Sequence, residues 1–109
     1  MEAALRHGVP IAMGTDIGGQ DLLPHGRNAA ELALLVDFGM SASDALAAGT
    51  LGAARCLGLD AECGSLEAGK VADIIAVPGD PLQDIRVTER VAFVMRSGRV
   101  AKSAPSLAA

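Results

Sequence analysis

Tryptophan and tyrosine are absent from this chain, and Phe38 and Phe93 are its only aromatic residues. An interior built on stacked rings is therefore excluded, and the core must be aliphatic and rich in alanine. Cations are scarce too: 9 lysines and arginines face 13 acids, for a formal charge of -4. With no basic stripe, a nucleic-acid partner is disfavoured. No apolar run approaches the roughly 20 residues that cross a bilayer, so no membrane partner is expected. Residues 1–6 lack the long apolar region of a secretory leader, which makes the cytoplasm the expected compartment. There are two cysteines, Cys56 and Cys63, at a spacing that fits no familiar zinc pair. They are expected to be free structural thiols, with a disulfide or metal role as the alternative. The 109 residues allow one domain or a piece of one, and a hydrophobic share of 50% is enough for a core.

What is present centres on Val9-Pro10-Ile11-Ala12-Met13-Gly14-Thr15-Asp16. This short apolar run stops at an acid. It predicts a strand of a parallel sheet, covered on both faces. Pro10 is compatible with the first residue of a strand and not with its middle. An acid at the carboxyl end of such a strand, followed by a loop, is where α/β folds place their chemistry. Taken locally, Asp16 has a plainer reading as the first residue of a turn.

Around this stretch the periodicity is helical. Glu2 to Arg6 reads as the end of a helix closed by His7 and Gly8, with His7 at the negative end of the dipole. Residues 17–27 form a long loop containing Asp21, Pro24 and His25. Asn28 and Glu31 have the spacing of a capping box. Ala29, Leu32, Leu35 and Val36 then share one face of a helix that Gly39 ends. Ser41 and Asp44 repeat the capping device, and Thr50 is placed to cap a last helix ending at Gly58. Beyond Leu59 the period changes. Strands are predicted at residues 71–77 and 91–96, the loop Pro78-Gly79-Asp80-Pro81 between them. Ser97-Gly98 is a turn returning residues 99–102 as a hairpin partner. Residues 103–109 have nothing to bury and are expected to form a flexible tail. The division is thus 1–59 and 60–102, followed by the tail.

Taken in order, these segments resemble the carboxyl-terminal portion of the amidohydrolase superfamily, nearest its imidazolonepropionase-like and Xaa-Pro dipeptidase-like branch. The residues that carry the resemblance are Gly8 to Asp16, His25-Gly26-Arg27-Asn28-Ala29-Ala30-Glu31-Leu32, Gly39-Met40-Ser41, Asp44-Ala45-Leu46, Thr50, Ala53-Ala54-Arg55 and Leu57-Gly58-Leu59. They continue with Gly64-Ser65-Leu66-Glu67-Ala68-Gly69-Lys70-Val71-Ala72-Asp73-Ile74-Ile75, then Asp80-Pro81-Leu82 and Asp84-Ile85, and it is the ordered set that is specific. The implied fold class is α/β: the carboxyl-terminal fragment of a metal-dependent (β/α)8 barrel plus part of a small β-sandwich. Residues 11–16 would be the eighth barrel strand, and residues 60–102 a share of the sandwich.

The resemblance further implies a hydrolase of C–N bonds, acting by metal-activated water on a small substrate such as a non-peptide amide or a dipeptide. Asp16 matches the acid that binds a divalent metal, with zinc expected, and carries protons during catalysis. His25 matches a position suited to substrate contact or loop anchoring; packing in a surface loop is its alternative. Gly14 and Thr15 are expected to shape the strand end, Asp21 to be solvated, and Lys70 and Asp73 to be structural. The family's His-x-His pair, bridging residue and later histidines have no counterparts here, since His7 and His25 fit none of those motifs. One carboxylate cannot hold a catalytic metal, and a barrel takes roughly 250 residues. The 109 residues are therefore expected to be part of a larger enzyme and inactive alone. The second hypothesis is a non-catalytic remnant serving as an oligomerising or binding module. A lone barrel strand would expose its edges, so the chain is expected to aggregate, to pair with another copy as a homo-oligomer, or to need its missing half.

Overall fold

The computed structural model describes residues 1–16 and 25–104. Four short helices come first: α1 (Glu2–Arg6), α2 (Ala30–Asp37), α3 (Ala42–Gly49) and α4 (Leu51–Cys56). Three strands follow, β1 (Ile74–Ala76), β2 (Phe93–Arg96) and β3 (Arg99–Ser103), with a 3-10 helix at Ile85–Glu89 between β1 and β2. The strands form one antiparallel sheet in the order β1-β2-β3.

Glycine closes the helices where expected. Gly58 has φ +70, which spares it the steric cost other residues meet there. Its N–H donates to the Arg55 carbonyl and that of Leu59 to the Ala54 carbonyl, satisfying two carbonyls at the end of α4. Gly8 and Gly39 close α1 and α2 with the same pair of bonds. At the start of α3, Ser41 Oγ accepts from the Asp44 N–H at 3.0 Å and its hydroxyl donates to the Asp44 carboxylate at 2.6 Å. The Asn28 cap does not form. Ala29 holds the cap position of α2, and Ala30, Glu31 and Leu32 donate to the carbonyls of Arg27, Asn28 and Ala29. Those backbone turns already occupy the first N–H groups. Thr50 precedes α4 as expected, but its hydroxyl donates back to the Leu46 carbonyl at 2.7 Å. It therefore serves the end of α3 and makes no side-chain cap for α4.

The core is aliphatic, as the lack of rings requires. It joins Leu32, Ala33 and Leu35 of α2 to Met40, to Ala45 and Ala48 of α3, and to Ile85. Ile85 belongs to the 3-10 helix, an element with no counterpart in the sequence reading, which packs on α2. Thr88 is buried beside it and satisfies its hydroxyl on the Ile85 carbonyl at 2.6 Å. Arg86 reaches Asp37 at 3.1 Å on the surface above.

The expected strand at 71–77 is shorter than its apolar run. Val71 N–H donates to the Glu62 carbonyl, and Asp73 turns aside to brace the hairpin, accepting from the Ser97 N–H at 2.7 Å. That hairpin turn has positive φ at both Ser97 and Gly98, the type I′ geometry that matches strand twist. A bulge at Ala101 lets Val94 face Lys102 while Met95 faces Val100. Of the residues expected in the tail, Ser103 belongs to β3 and Ala104 N–H donates to the Ala92 carbonyl. Residues 105–109 lie outside the described residues, as do 17–24 of the expected loop.

Candidate active site

Residues 9–16 do not form a ladder with any strand among the described residues. The expectation of a strand covered on both faces is corrected here: a strand needs neighbours, and this segment has one face covered. Ile11, Met13 and Thr15 are half-buried, whereas Ala12, Gly14 and Asp16 are exposed. Alternation with period two is the mark of extended backbone. Ile11 and Met13 pack against the core, and the Met13 N–H donates to the Ala48 carbonyl of α3 at 2.9 Å. The helices thus hold the odd-numbered face, and the opposite face ends in Asp16.

Asp16 has φ +49, a left-handed conformation that aspartate tolerates better than most residues. The extended segment ends there. His25 is exposed and stands at a turn before Gly26, φ +90. Asp16 and His25 therefore flank residues 17–24, and no hydrogen bond or ion pair among the described residues joins them. Asp21 lies outside the described residues. Gly14 and Thr15 form the end of the extended run, and His7 is the exposed residue after α1.

The other singled-out residues are in the second half. Lys70 directs its ammonium to the Asp60 carbonyl (2.6 Å), Ser65 Oγ (2.7 Å) and Glu67 Oε2 (2.8 Å). This hydrogen-bonded pairing with Lys70, supported by the Ser65 hydroxyl, holds the Glu67 carboxyl below its ordinary value. Both thiols are free; Cys56 is exposed and Cys63 half-buried, its Sγ 3.6 Å from the Leu59 carbonyl.

Among the described residues no group of three or more His, Cys, Asp or Glu side chains is placed to hold a metal ion. These residues alone do not fit the metal that the resemblance implies. No helix among them is long and apolar enough to cross a membrane.

A family model described as "Amidohydrolase family" matches residues 1–101. The chain belongs to the amidohydrolase family. An imidazolonepropionase of Pseudomonas savastanoi is 43% identical over 81 residues, covering 70% of this chain and 19% of that protein. A Xaa-Pro dipeptidase crystallised with methionine bound in its active site is 40% identical, with a TM-score of 0.85 over 93% of this chain and 24% of that one. An A. niger ochratoxinase is 36% identical, with a TM-score of 0.80 over 94% of this chain and 24% of that one. The chain thus spans about a fifth of the curated amidohydrolase relatives and about a quarter of the solved ones. Such family members imply a (β/α)8 barrel parent; the described part is a small α/β unit with a three-stranded antiparallel sheet.

Proposed function

We propose that this chain is the Asp16-bearing portion of a hydrolase that cleaves a C–N bond of a small amide or dipeptide. The observation that carries the proposal is a single aspartate presented on the exposed face of an extended segment, at the end where that segment stops. Membership of the amidohydrolase family supports it, as do relatives named imidazolonepropionase and Xaa-Pro dipeptidase. In this reading Asp16 is the proton carrier. Its carboxylate takes a proton from a water as the water oxygen bonds to the substrate carbonyl carbon. It then returns that proton to the nitrogen as the C–N bond breaks, leaving a carboxylic acid and an amine. A divalent cation, zinc first among candidates, belongs to this proposal as a cofactor of the longer protein. Its remaining ligands would come from outside these 109 residues, with Asp16 as one ligand. His25 is proposed as a substrate contact, on the strength of its exposure at the other end of the 17–24 stretch.

The test is Asp16→Asn in the protein that carries these residues at the length of its relatives. Amide replaces carboxylate at nearly constant shape, so turnover should fall by a factor of about 10² or more, with the unfolding midpoint unchanged. Unaltered turnover would overturn the assignment.

A second reading, an oligomerising module, is favoured by one observation. Leu57, Leu66 and Ile75 are 72%, 80% and 57% exposed and line one apolar groove. We also place the chain in the cytoplasm, supported by its two free thiols.

A further inference from the structure

We propose that Gly49 and Gly52 are positioning residues that seat the segment bearing Asp16. The inference rests on the catalytic reading of Asp16 for its functional meaning, but the seat itself is a matter of packing. Gly49 ends α3 and Gly52 lies in the first turn of α4, three residues on. A Cβ on Gly49 would come within 3.1 Å of Leu32 Cδ2 and 3.4 Å of Met13 Sδ. A Cβ on Gly52 would come within 2.8 Å of the Ala47 carbonyl oxygen and 3.4 Å of the Ile11 carbonyl oxygen. The tight approaches are to Leu32 and to the Ala47 carbonyl, so the missing side chains let α2, α3 and α4 close into the junction on which Met13 and Ile11 rest at ordinary contact distance. Between them lies the bond from the Met13 N–H to the Ala48 carbonyl. The α3–α4 junction touches the extended segment at two alternate residues and bonds it at one.

Asp16 follows Met13 by three residues, and on the described side of Asp16 the segment is held by this seat together with the core packing of Ile11 and Met13. A side chain at Gly49 must displace Leu32 and one at Gly52 the Ala47 carbonyl, and either shift moves the junction that carries the segment. A displacement of about 1 Å far from the chemistry can cost roughly 10²-fold in rate when it misplaces a reacting group. Neither glycine has a positive φ that would by itself demand glycine. Within a helix, alanine is ordinarily preferred to glycine. Gly49→Ala and Gly52→Ala should therefore stabilise the chain if the space is unimportant and disturb it if the seat is real.

Amide exchange in the 109-residue chain reads this directly. In each variant the Met13 N–H should exchange at least roughly tenfold faster, while the Ala45 N–H of α3 stays within about threefold of the parent. In the Gly49→Ala background, Leu32→Val withdraws the crowded Cδ2 and should restore protection at residue 13. That rescue also decides the case of a Gly49→Ala chain that unfolds: recovery supports the seat, and no recovery overturns it. Unchanged Met13 exchange in both single variants likewise overturns it. In the longer enzyme, Gly49→Ala should lower kcat about tenfold and leave KM within about twofold, because positioning of a proton carrier is lost and substrate binding is not. If Asp16→Asn leaves turnover intact while Met13 exchange still rises, the seat stands and the catalytic reading falls. If Asp16→Asn abolishes turnover while exchange and kcat ignore both glycines, the reverse holds.

Discussion

Lys70 engages three acceptors with an ammonium that has three N–H groups, and its side chain is 13% exposed. Removing it takes a charged donor from a backbone carbonyl, a hydroxyl and a carboxylate at once. Lys70→Met should therefore cost about 1–3 kcal/mol, measured by denaturant unfolding. The pH dependence has a definite sign. Glu67 has its folded-state pKa lowered from 4.5, first by its hydrogen bond to Lys70. Its contribution is present above the unfolded value and is lost as pH falls through the lowered folded value. Below 4.5 the parent should thus lose stability more steeply than Lys70→Met, since the variant lacks that partner. Parallel acid limbs would show that Glu67 gains nothing from Lys70. At this scale the sequence marked Lys70 and Asp73 as structural but named none of their partners. Asp60, Ser65 and Ser97 are brought to them by turns; the Ser97-Gly98 turn itself was legible, but which distant side chain it meets is set by how the chain folds back.

Among the elements, α3 depends most visibly on a single side chain. Ser41 supplies its cap, and Ser41→Ala should cost about 0.5–2 kcal/mol in thermal or denaturant unfolding. Asn28→Ala should cost much less, because Asn28 makes no side-chain cap of α2. Equal losses would mean that the cap of α3 contributes nothing particular. The contrast explains what the residues disclosed in advance. Helix ends were legible because glycine in the left-handed region follows a local steric rule. Helix starts were legible at Ser41 and misleading at Asn28, where i→i+3 backbone bonds compete with the side chain. The extended 9–16 segment could be read as strand-like from its period. Its partnering could not, because pairing is a property of neighbours. The 3-10 helix at Ile85–Glu89 is five residues long, too short to develop a period, and it was missed. Asp16 stood out only because an apolar run stops there. The glycines beneath that run gave no signal, since close approach is visible only once α3 and α4 are folded against it.

For the molecule as a whole, the balance of covered and uncovered apolar surface decides behaviour in isolation. A groove of about 470 Å³ runs between α4, the Gly64–Leu66 turn and β1, with Leu57, Leu66 and Ile75 on its walls. The 109-residue chain is expected to self-associate as its concentration rises, and Leu66→Glu should weaken that association, both read by sedimentation. A chain that stays monomeric at all concentrations would remove the support for an oligomerising module. The same whole-molecule view bears on Ile85. It stands in one interior with Leu32, Leu35 and Ala45, although more than forty positions separate it from Leu35. A ribosome making this polypeptide releases the helices well before the isoleucine that completes their interior. During that interval the nascent helices carry an open apolar flank, and the pace of translation sets how long a chaperone or a protease has to find it.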